Sequence, residues 1–172
     1  LMNALVSIIT PSYNSANFIA ETIQSVQHQT YQNWEMIIVD DGSSDETPNI
    51  IKQFSEIELL HEDTRAGKMA AIKRTIPFIN GEITVFTDAN TFLNIAAIKE
   101  LVKHYQNPKV GAVAGEKRIK VDTEADASAA GEGFYWKYES ALKKWDYELY
   151  TSVGAAGELF SIRTNLYQPV ES

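Results

Sequence analysis

One pattern constrains this chain more than any other. Short, predominantly apolar runs stop at polar residues and are followed by helical spacing. LVSIIT (5–10), WEMIIVD (34–40) and EITVFTD (82–88) read as strands buried in a sheet, and IELL (57–60) and VGAVAG (110–115) as shorter ones. Between them, Ile19, Ile23 and Val26 recur at spacings of four and three, Ile50, Ile51 and Phe54 supply a second apolar face, and IAAIKELVKHY (95–105) a further helix. RAGKMAAIKRTIPFI reads as a loop running into a helix that Pro77 ends or kinks. This alternation predicts an α/β fold, a mostly parallel, Rossmann-like sheet with right-handed crossovers and helices on both faces.

In such a sheet, ligands bind beyond the carboxyl ends of the strands. Three polar clusters fall there: Thr10, Pro11 and Tyr13 after the first strand, Asp40, Asp41, Gly42 and Ser43 after the second, and Asp88 and Asn90 after the fourth. A purely local reading exists for each. DDGSSD can be a turn in which Gly42 takes a positive φ and Ser44 or Asp45 caps a helix, and the Asn and Ser residues of PSYNSAN can cap the first helix. Two adjacent carboxylates beside a buried strand are nevertheless costly unless they meet donors or a cation. An Asp can accept the N3–H of a uracil, and a neighbouring Tyr such as Tyr13 can stack on the base. Arg65 and Lys68, in RAGK, present two cations and a Gly beside the same cleft. Asp88-Ala89-Asn90 stands where a strand-end Asp-x-Asp would hold a divalent metal, with the second carboxylate replaced by an amide. It reads as a metal site with one altered ligand, a site without metal, or a turn. An Asn oxygen still ligates a hard cation but brings no charge, so Asp88 is the expected main ligand of a metal that binds weakly or not at all until a nucleotide arrives.

Bulk properties remove several classes. The formal net charge of −8 argues against a general nucleic-acid binder. The absence of Cys excludes disulfides, zinc–thiolate sites and thiol nucleophiles. No apolar stretch approaches the roughly 18–20 residues that cross a bilayer, and no signal-peptide pattern opens the chain, so a cytoplasmic, soluble molecule is expected. The first strand lacks a following G-x-G-x-x-G, and no G-x-x-x-x-G-K-[ST] occurs, which argues against a dinucleotide fold and a P-loop. A nucleotidyltransferase would place a Gly-rich basic loop directly after the first strand, and PSYNSA is not one.

The pattern changes after residue 115. Phe134 or Tyr135, Tyr138, Leu142, Trp145 and Leu149 mark a long amphipathic helix whose aromatics either pack on the sheet or line an acceptor channel. GAAGELFSIR (154–163) returns to a Gly-rich turn and a strand. His28, His61 and His104 read as surface or structural residues.

The segment VSIITPSYNSANFIAETIQSVQHQTYQNWEMIIVDDGSSDET resembles the opening of the family 2 glycosyltransferases, inverting enzymes with the GT-A fold. TDANT, VGAVAGEKRI, EGFYWKYE and VGAAGELFSIR further resemble its membrane-associated, often processive branch of polysaccharide synthases. The resemblance implies a donor-binding subdomain over 1–115 and a partial acceptor-side subdomain over 116–172. It implies a UDP-sugar donor, a carbohydrate or lipid-linked acceptor hydroxyl, and Mg²⁺ or Mn²⁺. Pro11 and Tyr13 would flank the uracil, Asp41 with Asp40 beside it would pair with base or ribose, Arg65 and Lys68 would lie near base and diphosphate, and Asp88 and Asn90 would hold the metal. Thr10 belongs to the same expected donor set. The family's base is an acid in a pair soon after the G-x-x-G…R segment, yet Glu171 is the only acid after Arg163. The base is therefore expected beyond Ser172, with Glu171 and Glu158 as weak substitutes and little turnover by the isolated chain. Membrane attachment would come through segments absent from this chain, at the cytoplasmic face. The alternative is a non-catalytic nucleotide-binding or interaction domain of the same fold.

Overall fold

The computed structural model describes residues 3–116 and 158–169, together with Tyr138, Ala141, Leu142, Trp145 and Glu148. The expected runs become β1 (Val6–Ser12), β2 (Trp34–Asp41), β3 (Ile57–Glu62), β4 (Ile83–Thr87), β5 (Ala112–Ala114) and β6 (Leu159–Arg163). They form one sheet in the order β3-β2-β1-β4-β6-β5. β1 pairs in parallel with β2 and β4, and β2 with β3, whereas β6 is antiparallel to both β4 and β5. Only β6 is reversed, so β5 runs in the same sense as the first four strands. The mostly parallel sheet is thus as expected, but β5 reaches it through a reversed strand inserted between it and β4.

Strand periodicity divides the core between the two faces. Ile8, Ile38 and Val85 join the larger core with α1 (Ile19–Gln27), α2 (Thr47–Ile51) and α4 (Ala97–His104), which contribute Ile19, Ile23, Ile51, Ile98 and Leu101. Ile9, Ile37 and Phe86 face the other way and meet Ile72 of α3 (Lys68–Thr75). Pro77 ends α3 as expected, inside a 3₁₀ turn over Ile76–Phe78. β1 does not stop at Pro11 but runs to Ser12. Its pairing with β4 ends at Ile9↔Phe86 while that with β2 continues, so Pro11 lies where one side of the strand is unpaired and its missing N–H costs nothing.

The expected side-chain cap of α1 is absent. Phe18 occupies the N-cap position without a side-chain hydrogen bond, and the Ser15 carbonyl receives the N–H groups of Phe18 and Ile19 instead. Tyr138, Leu142 and Trp145 are helical and 54%, 37% and 56% exposed, and none of the three belongs to either core cluster of the sheet. Phe134, Tyr135 and Leu149 lie outside the described residues. Among the described residues no helix is long and apolar enough to cross a membrane.

β6 is locked to the end of α4 from below. The fully buried Tyr105 donates its hydroxyl to Ser161 Oγ at 2.8 Å. Arg163 donates to the carbonyls of Val110, Tyr105 and Asn107 at 2.8, 2.9 and 3.1 Å. Tyr105→Phe removes one buried hydrogen bond and no packing volume. The expected cost is about 1 kcal/mol, read as a fall in thermal midpoint of about 2–4 °C.

Candidate functional site

Parallel strands that end at one edge deliver their trailing residues to one place. A cleft of ≈ 370 Å³ opens there, lined by Pro11, Ser12 and Tyr13 from β1, Asp41 from β2, Arg65 and Lys68 from the β3–α3 junction, and Asp88 and Asn90 after β4. The structure therefore brings together seven of the nine residues expected at the site, counting Pro11, Tyr13, Asp41, Arg65, Lys68, Asp88 and Asn90.

Asp41 is the fixed point of this cleft. Its Oδ1 accepts the Ala66 N–H at 3.1 Å and Arg74 Nη2 at 3.2 Å, and its Oδ2 accepts the Gly67 N–H at 2.6 Å. Burial on its own would raise its pKa, but the two backbone N–H groups and the Arg74 guanidinium outweigh it and hold the carboxyl below its ordinary value. Gly42 makes this closeness possible. Its φ is +76°, as the turn reading required, and a Cβ there would lie 2.8 Å from the Arg65 nitrogen.

The two cations of the β3–α3 junction rest on residues of other strands. The Arg65 guanidinium lies 4.1 Å from the centroid of the Tyr13 ring, which is 41% exposed. Lys68 Nζ donates to Asp88 Oδ1 at 2.5 Å. The Asp88 carbonyl also accepts the Thr91 N–H at 3.0 Å, so Asp88–Thr91 is a turn and a cleft wall at once.

Thr10 and Asp40 do not reach the cleft. On a strand, neighbours point to opposite faces, so Asp40 and Asp41 cannot share one target. Asp40 is fully buried and accepts from Ser43 N at 3.1 Å and Ser43 Oγ at 2.5 Å. It also meets His61 Nδ1 at 2.9 Å, directly across the Asp40↔His61 pair of β2 and β3. Asp40 thus braces the loop that follows Asp41, and His61 has the structural place expected of it. Thr10 is fully buried, and its hydroxyl has no protein partner.

Several contributors carry no motif in the sequence. Arg74, in the last turn of α3, reads only as a cation suited to a helix C-terminus. Asn14, at φ +47°, donates its N–H to Ser43 Oγ at 2.8 Å and accepts the Ser44 N–H at 2.9 Å, which zips the β1–α1 loop to the β2–α2 loop. Asp45 takes the Thr47 N–H at 3.0 Å and reaches the Ala16 N–H at 3.1 Å, but Glu46 holds the N-cap position of α2 without a side-chain hydrogen bond, so the cap expected of Ser44 or Asp45 is not made. Ser12 also lines the cleft, and its buried hydroxyl has no protein partner. Phe18 forms part of the wall as well.

Among the described residues no group of three or more His, Cys, Asp or Glu could hold a metal. Asp88 and Asn90 offer two hard oxygen donors on the cleft wall. That set fits a hard divalent cation whose shell is completed by waters and ligand oxygens, and it is too small to cage one alone. Glu158 lies in a turn one residue before β6, beyond the Thr87↔Leu159 pair and hence at the same sheet edge as Asp88. Glu171 lies outside the described residues.

The sequence profile described as Glycosyl transferase family 2 matches residues 7–167. The chain is 31% identical over 165 residues to a beta-monoglucosyldiacylglycerol synthase of Trichormus variabilis, covering 90% of this chain and 34% of that protein. It is 30% identical over 118 residues to glycosyltransferase GlyG of Streptococcus pneumoniae, covering 66% of this chain and 39% of that one. A mannosyltransferase of Pyrobaculum calidifontis, solved with GDP-Man and Mn²⁺, superposes with a TM-score of 0.76 at 28% identity, over 93% of this chain and 44% of the other. The chain thus spans a third to two fifths of these curated relatives' length, and its mixed six-stranded sheet is that of the GT-A glycosyltransferases. With the profile covering nearly the whole chain and the cleft standing at the strand ends, the chain belongs to glycosyltransferase family 2.

Proposed function

We propose that this chain is the donor-binding part of an inverting glycosyltransferase that moves a sugar from a UDP-sugar to an acceptor hydroxyl. The observation that carries this reading is the convergence of Tyr13, Asp41, Arg65, Lys68 and Asp88 on one cleft from three strand ends and one loop. An aromatic platform, a buried carboxylate acceptor, two cations and a metal-ligating carboxylate are what a nucleoside diphosphate requires. Tyr13 and Pro11 flank the base, Asp41 accepts a base N–H, and Arg65 and Lys68 oppose the charge that grows on the departing diphosphate. Asp88, with the Asn90 amide, would hold Mg²⁺ or Mn²⁺, which would supply Lewis-acid neutralisation of the same diphosphate.

The choice of base rests on acceptor capacity. An ionised carboxylate has about four lone-pair sites, and the Ala66, Gly67 and Arg74 donors already occupy three on Asp41. One remaining site suits the single N3–H of uracil better than the adjacent N1–H and N2–H₂ donors of guanine. The Pyrobaculum calidifontis mannosyltransferase was solved with GDP-Man, so the distinction is open to direct comparison.

The acceptor is a carbohydrate or a lipid-linked hydroxyl, and a relative named for a glucosyldiacylglycerol supports the lipid-linked case. Residues 1–115 form the donor half of the site and 116–172 part of the acceptor half, with the base beyond Ser172. The work is done at the cytoplasmic face of a membrane, to which other segments of the full-length protein attach it.

Calorimetric titration tests the donor site. UDP is expected to bind at least tenfold more tightly than GDP and more tightly still with Mn²⁺. Asp41→Ala is expected to weaken UDP by about 10–100-fold, as loss of a charged hydrogen-bond acceptor does, and Tyr13→Ala by about tenfold, as loss of a stacking face does. No UDP binding with or without metal would remove the donor assignment. A second expectation concerns pH. Because the Asp41 carboxyl is held low, its stabilisation is complete above the ordinary carboxylate pKa of about 4. It is lost as pH falls through the lower folded value. The gap in thermal midpoint between the wild type and Asp41→Ala should therefore be constant near neutrality and close in acid. A gap unchanged to pH 2 would show that the carboxylate contributes nothing to folding.

A further inference from the structure

The Lys68–Asp88 pair sits where the metal would be held, and three features make it exchangeable. Both partners are accessible, with side chains 50% and 28% exposed, so the pair is weak and solvent-screened. The backbone beside Lys68 is fixed, because the Gly67 N–H ends on buried Asp41, whereas the lysine side chain is half exposed and leaves from the first residue of α3. Finally, Asn90 contributes an oxygen but no charge, so the Lys68 ammonium neutralises the single negative charge of this ligand set.

We infer that Lys68 is an internal stand-in for the metal, occupying Asp88 until a diphosphate draws its ammonium away and frees the carboxylate for the cation. Donor and metal are then coupled through one side chain. Without nucleotide, a divalent ion must displace an ammonium from a site that brings no net negative charge. With nucleotide, the phosphate oxygens take the ammonium, and Asp88 gains a free oxygen as the ion gains ligands from the phosphates. The coupling is reciprocal, so metal strengthens nucleotide binding by the same factor. The Lys68 ammonium thereby changes partner with no movement of the sheet. The diphosphate half of this inference rests on the donor-site reading above, and the metal half does not.

The test is Mn²⁺ binding, followed by electron paramagnetic resonance of the free ion, in protein without nucleotide and then with UDP or GDP. Lys68→Met is expected to bind Mn²⁺ about fivefold more tightly than the wild type without nucleotide, in line with removal of one exposed ion pair. Lys68→Arg keeps the cation and should match the wild type. The gain should vanish when Asp88→Asn is added to Lys68→Met. Nucleotide should raise Mn²⁺ affinity by a larger factor in the wild type than in Lys68→Met. Equal or weaker Mn²⁺ binding by Lys68→Met, undetectable binding included, would overturn the inference, as would a gain that survives loss of Asp88. If neither UDP nor GDP binds any form, the donor reading fails, while the nucleotide-free comparison still decides the role of Lys68.

Discussion

Everything at the open edge of the sheet depends on one carboxylate. Asp41 ends β2 and gathers two backbone N–H groups of the β3–α3 loop and the guanidinium of Arg74 in α3, tying that loop to the end of the sheet. Charge-assisted bonds of this kind are the strong ones, and their worth rises as water is excluded. Because Arg65 and Lys68 flank the residues that Asp41 holds, placing Asp41 also places both cations. Gly42 next to it lets that loop approach to a distance no side chain would permit.

The bonds around the cleft fall into two kinds. Those made by the buried Asp40 and Asp41 and the half-buried Asp45 join one loop to the next, and they build a frame. Those made by Tyr13 with Arg65 and by Lys68 with Asp88 are exposed and weak. A ligand can replace the second kind without disturbing the first. This separation follows largely from depth: the contacts of the buried carboxylates brace the loops, while those nearer solvent are screened and easily exchanged.

The sheet and most of the site were legible because both are consequences of local pattern. Apolar runs mark β1, β2 and β4, and the residues just past them lie at one edge by topology. What local pattern does not reveal depends on direction or distance. Asp40 and Asp41 are chemically alike and adjacent, and only the strand's register against β3 shows that the first turns to His61 and the second to the cleft. Thr10 is hidden for a related reason, as a residue of the buried strand itself. Arg74 and Asn14 act across separations of about thirty residues in sequence, and nothing near either one signals its partner. The insertion of β6 between β4 and β5 was likewise not deducible, because a five-residue strand carries no record of its neighbours.

That insertion has a consequence for how such a domain can vary. Ala114 of β5 pairs with Phe160 of β6, and the Gly115 N–H donates to the Leu159 carbonyl at 2.9 Å. The two ends of the intervening segment are therefore stitched together where it leaves and rejoins the sheet. The entropy of closing a loop grows only with the logarithm of its length, about 0.6 kcal/mol for each doubling. A segment closed at such a neck can lengthen, shorten or change sequence at little cost to the strands that carry Tyr13, Asp41 and Asp88. The sheet that carries the cleft residues is in this way tolerant of the length and sequence of what joins β5 to β6.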